Sequence, residues 1–132
     1  MNDPRHIIET YYQRLADRDR EGLLELIHPD ITVTYHGGVG VFPWSGQFTG
    51  HNGFNDFFAV IAEHLDVVNV EQTRWTTDEQ AVVVQCVGQW RVKANAARVD
   101  AGMVNIFTIT EDLITGYDVH ADTEAFRRAM DA

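Results

Sequence analysis

The segment Gly116-Tyr117-Asp118-Val119-His120-Ala121-Asp122 sets a carboxylate and an imidazole two residues apart in a strand-forming stretch. Side chains two apart on a strand point to one face. Asp118 and His120 therefore share a face, with Ile114 further back on it, and Tyr117, Val119 and Ala121 take the other. Burying such a pair is costly unless it is hydrogen-bonded. A carboxyl held in an apolar interior is pushed towards its neutral form, which suits general acid–base catalysis. The expectation is that Asp118 faces inward and moves a proton, with His120 tuning or relaying it. The competing reading is a buried network or a surface ion pair with no reaction.

Other residues could complete such a site. Asn105 is polar between Met103 and Phe107 on one strand face, and a buried amide needs a partner, which a substrate oxygen could supply. Tyr11 shares a helix face with Ile7, Ile8 and Leu15, which reads first as packing, with its hydroxyl able to reach a pocket. Tyr35 and His36 lie on opposite strand faces, so only one can line a cavity; Ile31 and Val33 share the face of Tyr35 and favour it. Trp44, with Phe42, sits in the glycine-rich loop 37–46, either as a lid or tucked into core. Phe58, Trp90 and Phe107 read as pocket wall or core.

Several chemistries have no support. The six histidines show no His-Glu-x-x-His spacing, and the single Cys86 excludes a cysteine metal cluster and an internal disulfide. Cys86 lies in an apolar run and reads as a buried, inert thiol. Gly37-Gly38-Val39-Gly40 lacks the Lys-Ser/Thr of a phosphate loop, and no Gly-x-Ser-x-Gly elbow is present. No metal and no cofactor are expected. A formal net charge of -10 argues against nucleic acid and anionic membranes as partners. No run approaches the ~20 apolar residues of a membrane span. Met1-Asn2-Asp3-Pro4-Arg5 does not open a signal peptide, so a cytoplasmic protein is expected.

The elements that must position these residues follow from periodicity. Asp3-Pro4 reads as a capped helix start, followed by Ile7, Ile8, Tyr11, Tyr12 and Leu15 at helical spacing. The charged knot 17–20 breaks that helix. A short second helix carries Leu23, Leu24 and Ile27 and stops at His28-Pro29. Ile31 to His36 alternates as a strand. Thr49-Gly50-His51-Asn52 opens a third helix with Phe54, Phe57, Phe58 and Ile61. The period then changes to two: Val67 to Trp75, Ala81 to Lys93, Val99 to Thr110 and Leu113 to Ala121 read as strands, most simply antiparallel, with a short helix over 123–130. The 132 residues fit one domain, with no linker or repeat.

This order resembles the nuclear transport factor 2-like superfamily, which includes ketosteroid isomerases and SnoaL-like polyketide cyclases. The resemblance rests on Tyr11 to Leu15 with Asp19 to Leu26, on His28-Pro29-Asp30-Ile31-Thr32-Val33, on Phe48 to Phe54, and on Tyr117 to Ala121. It implies an α+β cone: a curved antiparallel or mixed sheet with N-terminal helices on its concave face and an apolar pocket between. It implies Asp118 as the acid/base of the cyclases, Tyr11 in the place of the oxyanion tyrosine of the isomerases, and Asn105 near their protonated Asp. The isomerase base position falls near Tyr35 or His36, where no carboxylate stands. Arg98-Val99-Asp100 has the letters of the limonene epoxide hydrolase motif but sits at a strand start. The implied activity is cofactor-free isomerase, cyclase or dehydratase chemistry on a small apolar carbonyl compound, in a homodimer. The alternative is a ligand-binding or assembly module without catalysis, since one fold hosts many functions.

Overall fold

The computed structural model describes residues 3–37 and 40–132; Gly38 and Val39 of the glycine-rich loop fall outside the described residues. Helix α1 (Pro4–Ala16) starts where Asp3 accepts a hydrogen bond from the Arg5 amide at 3.1 Å, and it buries Ile7, Ile8 and Tyr11. It ends in a reversal: the Arg18 amide bonds to the Leu15 carbonyl and the Asp19 amide to that of Arg14. Asp19 then caps α2 (Arg20–Glu25), accepting from the Gly22 amide.

Strand β1 (Ile27–His36) begins earlier than expected. Ile27 is already strand, and Pro29 lies inside β1. It is accommodated where the pairing with the neighbouring strand is irregular between Ile27 and Thr32, so no ladder donor is missed. A four-residue strand, β2 (Gly46–Thr49), leads into α3 (Gly50–His64). Four long strands follow: β3 (Leu65–Thr77), β4 (Ala81–Val92), β5 (Arg98–Thr110) and β6 (Leu113–Ala121). Helix α4 (Thr123–Met130) closes the chain, capped by Asp122.

All six strands form one sheet in the order β2-β1-β6-β5-β4-β3. Neighbours are antiparallel except β1 and β6, which run parallel, so the sheet is mixed, as expected. Two register shifts in β3 add bulges, which bend and twist a strand. Helix α1 meets the sheet at β4, α3 at β1 and α4 at β5.

The register decides which side chains face these helices. Residues directly opposite on neighbouring strands share a face. Tyr117 stands opposite Val33 and Phe107, and Val119 stands opposite Tyr35 and Asn105. All six are buried, so this face is the inner one. Its aromatic packing is dense: Phe107 and Tyr117 stack at 4.8 Å, and Tyr11 meets Phe107 edge-on at 5.2 Å. Each such side chain stabilises the fold by roughly 1.5–3 kcal/mol through burial. Among the described residues no helix is long and apolar enough to cross a membrane.

Candidate functional site

The inner face and its helices do not fill the space between them. A cavity of about 470 Å³ remains, walled by Phe57, Phe58 and Ile61 of α3, Tyr35 of β1, Trp90 of β4, and Tyr117 and Val119 of β6. Trp44 from the loop before β2 and Phe126 of α4 also line it. Trp44 is fully buried and stacks on Phe42 at 5.0 Å, so this loop aromatic is wall rather than an outer lid. Gly88 on β4 lets the Trp90 indole lie back: a Cβ there would meet Trp90 Cη2 at 2.5 Å.

One end of this apolar space is polar. Asn105 is 1% exposed and donates from Nδ2 to the Tyr12 hydroxyl at 2.9 Å, with Cys86 Sγ at 3.9 Å. Asn105 Oδ1 is buried without a partner. The Tyr12 hydroxyl accepts from Asn105 and is also within hydrogen-bonding reach of the Cys86 sulfur. Burial pushes the Tyr12 phenol well above the usual tyrosine range, and Tyr117 and Cys86 nearby add to the rise. Tyr117 is raised mainly by burial, and so is Tyr35, opposed by a hydrogen bond with the Trp44 side chain. Burial likewise raises the Cys86 thiol. These groups are neutral donors and acceptors, and none is a ready base. An orphaned acceptor suits a ligand hydroxyl, which can donate to Asn105 Oδ1.

The structure separates the expected site into two faces of the sheet. Asn105, Tyr35, Trp44, Phe58 and Trp90 line the cavity. Asp118 and His120 do not. Asp118 is in register with Thr34 and Ile106, and His120 with His36 and Val104, all on the outer face. The inward placement expected for Asp118 and His120 is therefore corrected. Tyr117 and Val119 take the interior because their apolar area gains more from burial than a carboxylate and an imidazole would. His36 is corrected in the same way; Tyr35 is the cavity residue. On the outside, His36 Nε2 lies 3.0 Å from Asp118 Oδ1, and the His36 and His120 rings stack at 4.0 Å. His36 borders an open groove of about 590 Å³ with Thr34, Gly46 and Gln47, and neither Asp118 nor His120 lines it.

Two further placements differ from expectation. Tyr11 does not line the cavity: it is core between Phe54, Phe107 and Tyr117, with no well-formed hydrogen bond at its hydroxyl. The neighbouring residue Tyr12 does, because successive helix positions point about 100° apart. Phe107 is also core, stacked behind Tyr117. Tyr12, Tyr117 and Arg18 are cavity residues that residue types and spacing did not single out. The Tyr11-Tyr12 pair was the available signal. Among the described residues no group of three His, Cys, Asp or Glu side chains could hold a metal ion.

A sequence profile of the SnoaL-like domain family matches residues 8–117. No curated protein sequence matches the chain. Solved structures do. TerC, co-crystallised with polyporic acid, is 23% identical with TM-score 0.85 over 96% of this chain and 97% of its own. A nuclear transport factor 2-like protein from Burkholderia xenovorans is 22% identical, with TM-score 0.84 over 94% and 92%. Another from Burkholderia thailandensis is 16% identical, with TM-score 0.88 over 98% of both chains. At these identities the likeness is one of fold.

Proposed function

Because this chain belongs to the SnoaL-like domain family, within the nuclear transport factor 2-like superfamily, we propose that its cavity binds a small, largely apolar organic molecule through one hydroxyl or enol. The orphaned Oδ1 of Asn105, beside the Tyr12 hydroxyl, is the observation that carries this reading. A buried acceptor left unpaired costs about 1–3 kcal/mol, and a ligand hydroxyl would remove that cost. The volume of about 470 Å³ suits a ligand of this size, since such pockets run to roughly 300–1,000 Å³. The fold neighbour TerC was crystallised with polyporic acid, which makes that compound the first probe.

A second reading rests on the same pair. The Tyr12 hydroxyl, turned to the cavity, could donate to the oxygen of an enolate as it forms, with Asn105 holding the phenol in place from Nδ2, as in isomerase, cyclase or dehydratase chemistry on a carbonyl compound. The described lining residues include no carboxylate or imidazole. The base in that reading is a group on the substrate or a water molecule, and Asp118 takes no part. We also propose the homodimer that the resemblance implies, through the outer sheet face of Val83, Val87, Val104 and Ile106. Sedimentation at two concentrations checks it.

The test of the main reading is calorimetry with polyporic acid. Asn105→Leu is expected to weaken binding at least tenfold, about 1.4 kcal/mol or more, as lost hydrogen bonds do in buried sites. Asp118→Asn is expected to leave it unchanged. An Asn105→Leu variant that binds like the wild type removes the proposal.

A further inference from the structure

The cavity has one charged lining residue among those described, and the hydroxyl-binding reading gives it no task. Arg18 lies at the exposed side, with Ala16 and Val67, where the space opens. Its neighbours in sequence are all engaged. Arg14 reaches the Gly22 carbonyl and Glu25; Arg20 reaches Asn55; Arg5 meets Glu9 and lies over Trp75. Among the described residues no carboxylate pairs with Arg18, although the chain carries 20 acidic residues against 10 basic ones.

The backbone at Arg18 is a second observation. Its φ is 55°, in the left-handed region. The bonds from the Arg18 and Asp19 amides to the Leu15 and Arg14 carbonyls form the helix-ending turn whose left-handed position is normally glycine. Glycine would relieve the strain. An arginine here works against local stability and sets a free guanidinium at the cavity mouth.

We propose that Arg18 recognises an anionic group on the ligand, so that the ligand class is an elongated aromatic acid: a hydroxyl deep against Asn105 and Tyr12, a carboxylate at the mouth against Arg18. This rests on the hydroxyl-binding reading above. The guanidinium suits a carboxylate, which it can meet with two parallel hydrogen bonds. A chain of net charge -10 repels an acid at long range, so a local cation is required to seat one.

The test uses para-hydroxy-para′-carboxybiphenyl and its neutral carboxamide, titrated into the whole protein by calorimetry. The acid is expected to bind about five- to tenfold more tightly than the amide, the gain typical of a partly exposed charged contact. Arg18→Gly is expected to erase that ratio, leave the amide's affinity unchanged, and melt no lower than the wild type. Arg18→Lys is expected to keep part of the ratio, and added salt to shrink it in the wild type. Equal binding of acid and amide, with Arg18→Gly moving neither, overturns the proposal and leaves the hydroxyl reading standing. Failure of both probes to bind overturns the hydroxyl reading and the proposal together.

Discussion

Asn105 shows how one polar residue can define an otherwise greasy space. Its amide is satisfied on one side by Tyr12 and unpaired on the other. Tyr12→Phe removes the oxygen to which Nδ2 donates, leaving it the distant Cys86 sulfur. We expect a loss of about 1–2 kcal/mol in urea unfolding, the cost of a newly unpaired buried donor, together with weaker ligand binding. Asp118 is the opposite case. Its side chain and that of His36 are 36% and 41% exposed, so their pairing is screened by solvent. Asp118→Asn is expected to change stability by under ~1 kcal/mol. A drop of several kcal/mol would show that the outer cluster supports far more of the fold than its exposure suggests. The identities of these residues were legible; their neighbours were not. Asn105 and Tyr12 are 93 positions apart, and His36 and Asp118 are 82 apart.

At the scale of elements, close approaches matter more than propensities. Helix α3 lies so near β2 that a Cβ on Gly53 would sit 2.9 Å from the carbonyl carbon of Phe48. Backbone cannot swing aside as a side chain can, so α3 would have to lift. Gly53→Ala is expected to cost about 1–3 kcal/mol, the usual range for overpacking, despite the better helix propensity of alanine. Thermal melting checks it. Gly88→Ala should push the Trp90 indole into the cavity and weaken ligand binding, seen as a shift in tryptophan emission. Most elements were readable: the Asp3 cap of α1, the change of period after α3, and the terminal helix. Strand β2 was not, because its four residues are too short to show a period. Pro29 misled because a proline reads as a stop, and only the irregular pairing of β1 shows how a strand accommodates it.

For the whole molecule, the buried phenols couple stability to alkaline pH. Tyr11, Tyr12, Tyr35 and Tyr117 all have phenols raised above the ordinary value of 10.0, with burial the largest cause. A raised group holds its proton in the fold after the unfolded chain has lost it, so stability is full below pH ~10 and falls above it. With four such groups the slope approaches about 5 kcal/mol per pH unit. Burial also raises the Cys86 thiol above its ordinary 9.0, so unfolding followed by circular dichroism should be flat from about pH 7 to 8, decline shallowly near 9 and steeply beyond 10; stability that holds level above pH 10 would contradict this. The sequence by itself determined the order of elements, the α+β class, the superfamily resemblance and which strand residues travel together on a face. It did not determine which face of β6 turns inward. Alternation with period two is symmetric: it pairs Asp118 with His120 and Tyr117 with Val119 but assigns neither pair to the interior. The assignment came from tertiary register, with β1 and β5 bringing Val33, Tyr35, Asn105 and Phe107 alongside Tyr117 and Val119. Once those six were on one side, burial of their apolar area drove the carboxylate and the imidazole to the other.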